Sequence, residues 1–166
     1  MQKNNVDVVL ITREPNILYF TGFRGGVYLL VPLDEEPTLY VYGVDYEAAR
    51  EELSGIDVKL LRYEDDPNKI VSERVMELGC KTVGFDLLDT KTYKKLEKFL
   101  GTKAELREVD EAIWSLRTVK DREELKLMAE AARLTELGLE AALEALRPGV
   151  REYEVAAEAE YAMRRH

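Results

Sequence analysis

Cysteine and histidine are nearly absent from this chain. Cys80 and His166 stand alone of their kind among 166 residues. A single cysteine excludes an intramolecular disulfide and any cysteine-based zinc cluster. Cys80 lies between Gly79 and Lys81, where a helix is expected to give way to a strand, and it reads as a small apolar packing residue. A lone histidine at the last position is a poor partner for a serine or cysteine nucleophile. Excess positive charge is missing too. The chain has 24 basic and 33 acidic residues and a formal net charge of -9, which argues against a nucleic-acid partner, since that needs a basic face. No apolar run approaches the roughly 18 residues of a membrane span, so no membrane association is expected. The polar start, residues 1–7, does not resemble a secretory signal. The expectation is a cytoplasmic protein in a reducing setting. Uncharged polar residues are scarce as well: Gln2 is the one glutamine, and serine occurs at Ser54, Ser72 and Ser115. Abundant Glu and Lys with few thermolabile amides is a hyperthermophile-like composition.

What the chain does have is a steady alternation of short apolar runs and helical patterns. Residues 6–11 (VDVVLI) form a β-branched run suited to a buried strand. Residues 13–16 are a polar break containing Pro15, after which residues 17–20 are apolar again and end at Thr21-Gly22. Residues 27–31 and 38–42, joined by an acidic, proline-bearing turn, predict a hairpin. A helix capped by Asp45 runs to Leu53, and strands are expected over 58–61, 82–85 and 104–109. Asp66-Pro67 starts a helix that Gly79 stops, and Asp89 or Thr90 starts another that Gly101 stops. The pattern predicts an α/β fold: a mixed sheet of about six strands flanked by helices, followed by a C-terminal helical pair. Residues 110–116 look helical, with Trp114 as the expected core anchor. Asp121 and Glu124 have capping-box spacing ahead of a long helix to Leu146, and a last helix covers 152–165. Domains are expected at 1–118 and 119–166.

No catalytic constellation emerges from these residues alone. Glu64, Asp65 and Asp66 read as a solvated loop ending in a helix cap, and Asp34, Glu35 and Glu36 as a solvated turn. Gly22, Gly25 and Gly26 form no phosphate loop, because no Lys-Ser/Thr follows and no GxGxxG is present.

Four stretches carry a resemblance. PNILYFTGF (residues 15–23) is similar to an N-x-x-Y-[LF]-T-G-F signature, and TVGFD (82–86) to an x-[IV]-G-[FV]-[DE] strand. IWSLRTVKDREEL (113–125) resembles an LR-x-[VI]-K-[SD]-x-x-E-[IL] passage between domains, and PGVREYEVA (148–156) resembles PG-[VM]-[TS]-E-x-E-[VL]-A. Together, in this order, they resemble the creatinase/prolidase family of pita-bread metallopeptidases. The resemblance implies a creatinase N-terminal-like domain over 1–118 and the first helices of a pita-bread catalytic domain over 119–166.

It further implies a parent Xaa-Pro dipeptidase or aminopeptidase, a hydrolase that uses two divalent ions of the Mn, Co or Zn class, held by two Asp, two Glu and one His. In family order those five ligands come after His166, so none is expected here: the resemblance implies no metal ligand, no cofactor and no catalytic residue in this chain. The implied partners are a second copy of the chain, in a homodimer built partly by the N-terminal domain, and short proline-containing peptides. The segment implied to face the substrate cleft is Tyr19, Phe20, Thr21, Gly22, Phe23 and Arg24. One departure is the stretch Asp45-Tyr46-Glu47-Ala48, where many members have D-x-R-Y, so no role for that arginine carries over. A leading helix is also shortened, since strand one starts by Val6. The competing readings are a non-catalytic peptide- or protein-binding module of the same fold, and a free-standing dimerisation domain.

Overall fold

The computed structural model describes residues 5–166. Among them the chain forms β1(Val8–Ile11), α1(Glu14–Thr21), β2(Gly26–Pro32), β3(Thr38–Tyr42), α2(Gly43–Glu52), β4(Asp57–Leu61), α3(Pro67–Glu77), β5(Thr82–Phe85), α4(Thr90–Leu100), β6(Glu105–Glu108), α5(Asp110–Thr118), α6(Arg122–Ala145) and α7(Glu152–Arg165). It divides into two compact units, between Leu116 and Arg117.

The first unit is one six-stranded sheet in the order β4-β3-β2-β1-β5-β6. β2 runs antiparallel to β1 and β3, whereas β3–β4, β1–β5 and β5–β6 are parallel pairs. The sheet is therefore mixed, as the hairpin at its start requires. Apolar residues cover both faces because the strands alternate their side chains. Ile11, Leu29, Leu39 and Val41 join Ile17 and Phe23 of the α1 region, Ala49 of α2 and Ile113 of α5 on one face. Val8, Leu10, Leu30, Tyr40 and Val83 join Val71 and Val75 of α3 and Leu96 and Leu100 of α4 on the other. Gly84 has a packing reason: a Cβ there would stand 3.1 Å from Val109 and 3.3 Å from Val9.

Three local expectations change. Residues 14–21 are a helix rather than a break followed by an apolar run. α2 begins at Gly43 with Tyr42 as its cap, so Asp45 sits within the first turn and does not cap the helix. Trp114 is half exposed, and the buried residue of α5 is Ile113. Ile113 faces the sheet one position earlier, so the anchoring role falls to the smaller side chain.

The second unit is a helical hairpin. Asp121 accepts from the Glu124 amide at 2.8 Å, and Glu124 accepts from the Asp121 amide at 2.7 Å, completing the capping box. α6 and α7 approach closely at Gly138, where a Cβ would lie 2.8 Å from Met163. Leu125, Leu127, Met128, Leu139 and Leu143 are exposed along α6, as is Leu146 directly after it.

Candidate functional site

Helix α1 carries the first half of the 19–24 segment, so its anchoring decides where that segment stands. Its N-terminal end is fixed from a strand seventy residues away. Asp86, directly after β5, is fully buried and accepts from the Thr12 amide at 3.0 Å, the Arg13 amide at 3.1 Å and its neighbour Leu87's amide at 2.7 Å. The Asn16 side-chain amide donates to the same carboxylate at 2.8 Å. The Thr12 hydroxyl is within reach of both this carboxylate and the Leu87 carbonyl. Asn16 and Asp86 belong to two separate sequence stretches singled out above, and this bond joins them. The Arg13 guanidinium also lies 3.9 Å from Asp110, whose Oδ1 is otherwise unpartnered.

The other end of α1 closes on Gly22, whose amide donates to the Leu18 carbonyl with φ at 73°. That positive φ is one glycine adopts readily. The Thr21 hydroxyl donates to the Ile17 carbonyl at 2.7 Å and accepts from the Phe23 amide at 3.0 Å, turning the chain back toward the sheet. The six candidate residues thereby separate. Tyr19 and Phe20 are exposed and pack edge to face at 5.2 Å. Thr21 and Gly22 make the turn, Phe23 is buried in the core, and Arg24 is exposed. The Tyr19 hydroxyl donates to the Leu116 carbonyl at 3.4 Å. Phe20 borders an apolar groove of about 330 Å³ over the sheet, lined by Val9, Ile11, Leu29, Val31 and Ile113. The Asp45 carboxyl lies against Gly25, where a Cβ would meet it at 2.6 Å.

Asp66, Cys80 and His166 lie outside this segment. Asp66 caps α3 and bonds Lys95 at 2.8 Å, and the Lys95 ammonium together with Asn68 holds its carboxyl below the usual range. Burial, then the charge of Asp7 and Glu35, pushes the Cys80 thiol up, which disfavours the nucleophilic thiolate. His166 is exposed beyond the end of α7. Among the described residues, no three His, Cys, Asp or Glu side chains come together in a way that could hold a metal ion. The described residues thus do not fit a metal centre. No helix among them is long and apolar enough to cross a membrane.

Fold and site together define a class: a mixed α/β domain that presents an aromatic helix end, followed in the chain by a helical hairpin. The family follows from comparison with known proteins. Residues 1–119 match the creatinase/prolidase N-terminal domain, and residues 126–166 match metallopeptidase family M24. The chain belongs to the creatinase/prolidase family. It is 34% identical over 167 residues to the Xaa-Pro dipeptidase of Pyrococcus horikoshii, covering 99% of this chain and 45% of that protein. Among solved structures it is similar to the prolidase from Pyrococcus furiosus, with TM-score 0.81 and 29% identity over 99% of this chain and 50% of that one. The Xaa-Pro dipeptidase from Bacillus anthracis gives TM-score 0.80 and 26% identity over 99% of this chain and 46% of that one. The chain spans about half the length of the relatives it matches.

Asp86 and the groove are features that residue types alone did not single out. The signal for Asp86 was present, as an acidic residue directly after an apolar strand. Its partner Asn16 opens the N-x-x-Y stretch quoted above, but nothing in either stretch signals that the two pair.

Proposed function

We propose that this chain is the N-terminal, cleft-shaping and dimer-forming portion of a metal-dependent Xaa-Pro dipeptidase. The observation that carries the reading is the order of the two family matches, residues 1–119 and then 126–166, on a chain that aligns along 99% of its length with an Xaa-Pro dipeptidase. In this reading residues 1–118 form the N-terminal domain and 119–166 open the catalytic domain. Two divalent ions and the hydrolysis of the bond before proline belong to the part of the relatives that this chain does not span. Tyr19 and Phe20 are the side chains that α1 offers to a short peptide, and Phe23 holds them from behind as core. Thr21 and Gly22 shape the turn, and Arg24 stands at its exposed edge.

A fusion tests this. The chain is joined after His166 to the portion of the P. horikoshii dipeptidase beyond the aligned region, and Xaa-Pro dipeptide hydrolysis is followed with manganese or cobalt. The fusion should turn over only with metal. Tyr19→Ala and Phe20→Ala should raise KM severalfold, with kcat less affected, as expected when a substrate contact outside the reacting atoms is removed. Unchanged KM in both variants would remove the two aromatics from the cleft.

A further inference from the structure

We propose that the donors gathered at the carboxyl ends of β1 and β5 form a receptor for a small carboxylate, filled in the native chain by Asp86 itself. β1 and β5 are adjacent and parallel. The chain leaves β1 for α1 on one face, where Ile17 packs. It leaves β5 for α4 on the other, where Leu96 and Leu100 pack. Such a divergence is the switch point at which open α/β sheets hold ligands, in the crevice outside the carboxyl ends of the strands. Here the crevice contains the Asp86 carboxylate, 0% exposed.

Three backbone amides (Thr12, Arg13 and Leu87), the Asn16 side-chain amide and the Thr12 hydroxyl converge on its two oxygens from two stretches of chain, 12–16 and 87. An ordinary helix cap would bond the amides of the helix's own first turn. These backbone bonds instead come from Thr12 and Arg13, on the chain leaving the neighbouring strand β1 before α1, and from Leu87 beside the carboxylate itself. The carboxylate sits at the N-terminal end of α1, where the helix dipole favours negative charge. Through this anion α1 is tied to the sheet, and with it the position of Tyr19 and Phe20.

The test is chemical rescue in the 166-residue chain. Asp86→Ala leaves the donors in place around a vacancy the size of a carboxylate, and its thermal midpoint should fall by on the order of 10 °C. Sodium formate should recover several degrees, compared with sodium chloride at matched ionic strength, and should restore hydrogen-exchange protection at the Thr12, Arg13 and Leu87 amides. The wild type should not respond. Acetate, one methyl larger, should serve Asp86→Gly better than Asp86→Ala. Asp86→Asn keeps the volume and turns an NH2 toward other donors, so it should lose stability and gain nothing from formate. If Asp86→Ala does not fold unaided, refolding yield in formate against chloride decides the question. An undiminished midpoint in Asp86→Ala, an equal response to formate and chloride, or an Asp86→Asn that responds like Asp86→Ala would overturn the proposal.

Discussion

Phe20 and Phe23 stand three residues apart and do opposite work. Phe23 is 6% exposed and Phe20 39%. Phe23→Ala removes a core ring and should cost about 3–5 kcal/mol in denaturant unfolding. Phe20→Ala should cost less than about 1 kcal/mol, because the ring is already half in water. Comparable losses in both would contradict the division of the segment. The sequence stretch containing them was legible as a unit, but which ring points inward depends on Thr21 and Gly22 turning the chain, which periodicity does not report. Two tyrosines make a second residue-scale case. Burial, then the charges of Asp66 and Asp89, pushes the Tyr28 hydroxyl up to about 12, and burial above all does the same for Tyr40. An unfolded tyrosine ionises near pH 10. The folded state therefore keeps these protons where the unfolded state has lost them. Their contribution is fully present below pH 10 and is lost as pH rises from 10 through 12. Ultraviolet titration should show a late step from Tyr28 and Tyr40, with unfolding in that window. Tyr28→Phe and Tyr40→Phe should each remove one late step.

Helix α1 shows what an element can hide. It has eight residues, with Pro15 in its first turn and no side-chain cap from its own segment. Isolated helices of that length are marginal in water, so no local pattern marked it. Its start is held by Asp86, seventy residues along the chain from Asn16. Elements with local signals were legible: the hairpin of β2 and β3, the Asp66-Pro67 start of α3, the Asp89 cap of α4 and the capping box of α6 all formed where their residues predicted. Trp114 was misplaced for the reverse reason, since residue size does not fix which face of α5 meets the sheet. The α6 box gives a prediction at this scale. Asp121→Ala removes the acceptor for the Glu124 amide and should cost about 1 kcal/mol. The loss should appear as fraying at the start of α6, with amide exchange in 122–126 faster and the sheet amides unchanged. Uniform acceleration across both units would contradict it.

At the scale of the whole molecule, two family matches follow one another along a chain that spans about half the length of its relatives. The mixed sheet follows from the early hairpin and was readable from the sequence, whereas the groove beside Phe20 depends on how α1 and α5 settle on the sheet. The proposed homodimer must overcome repulsion between two chains of net charge -9. Salt screens that repulsion beyond about 8 Å at physiological strength, and apolar burial at roughly 25 cal/mol per Å² outweighs it once a few hundred Å² are covered. Light scattering at micromolar concentration should return twice the chain mass, and a monomer unaffected by salt would place the dimer contacts elsewhere. The most direct measurement is turnover by the purified 166-residue chain itself, given an Xaa-Pro dipeptide with and without manganese or cobalt. No hydrolysis is expected under any of these conditions, because the described residues gather no metal-ligand set. Metal-stimulated release of proline that co-purifies with the chain, and persists after host peptidases are removed, would contradict it.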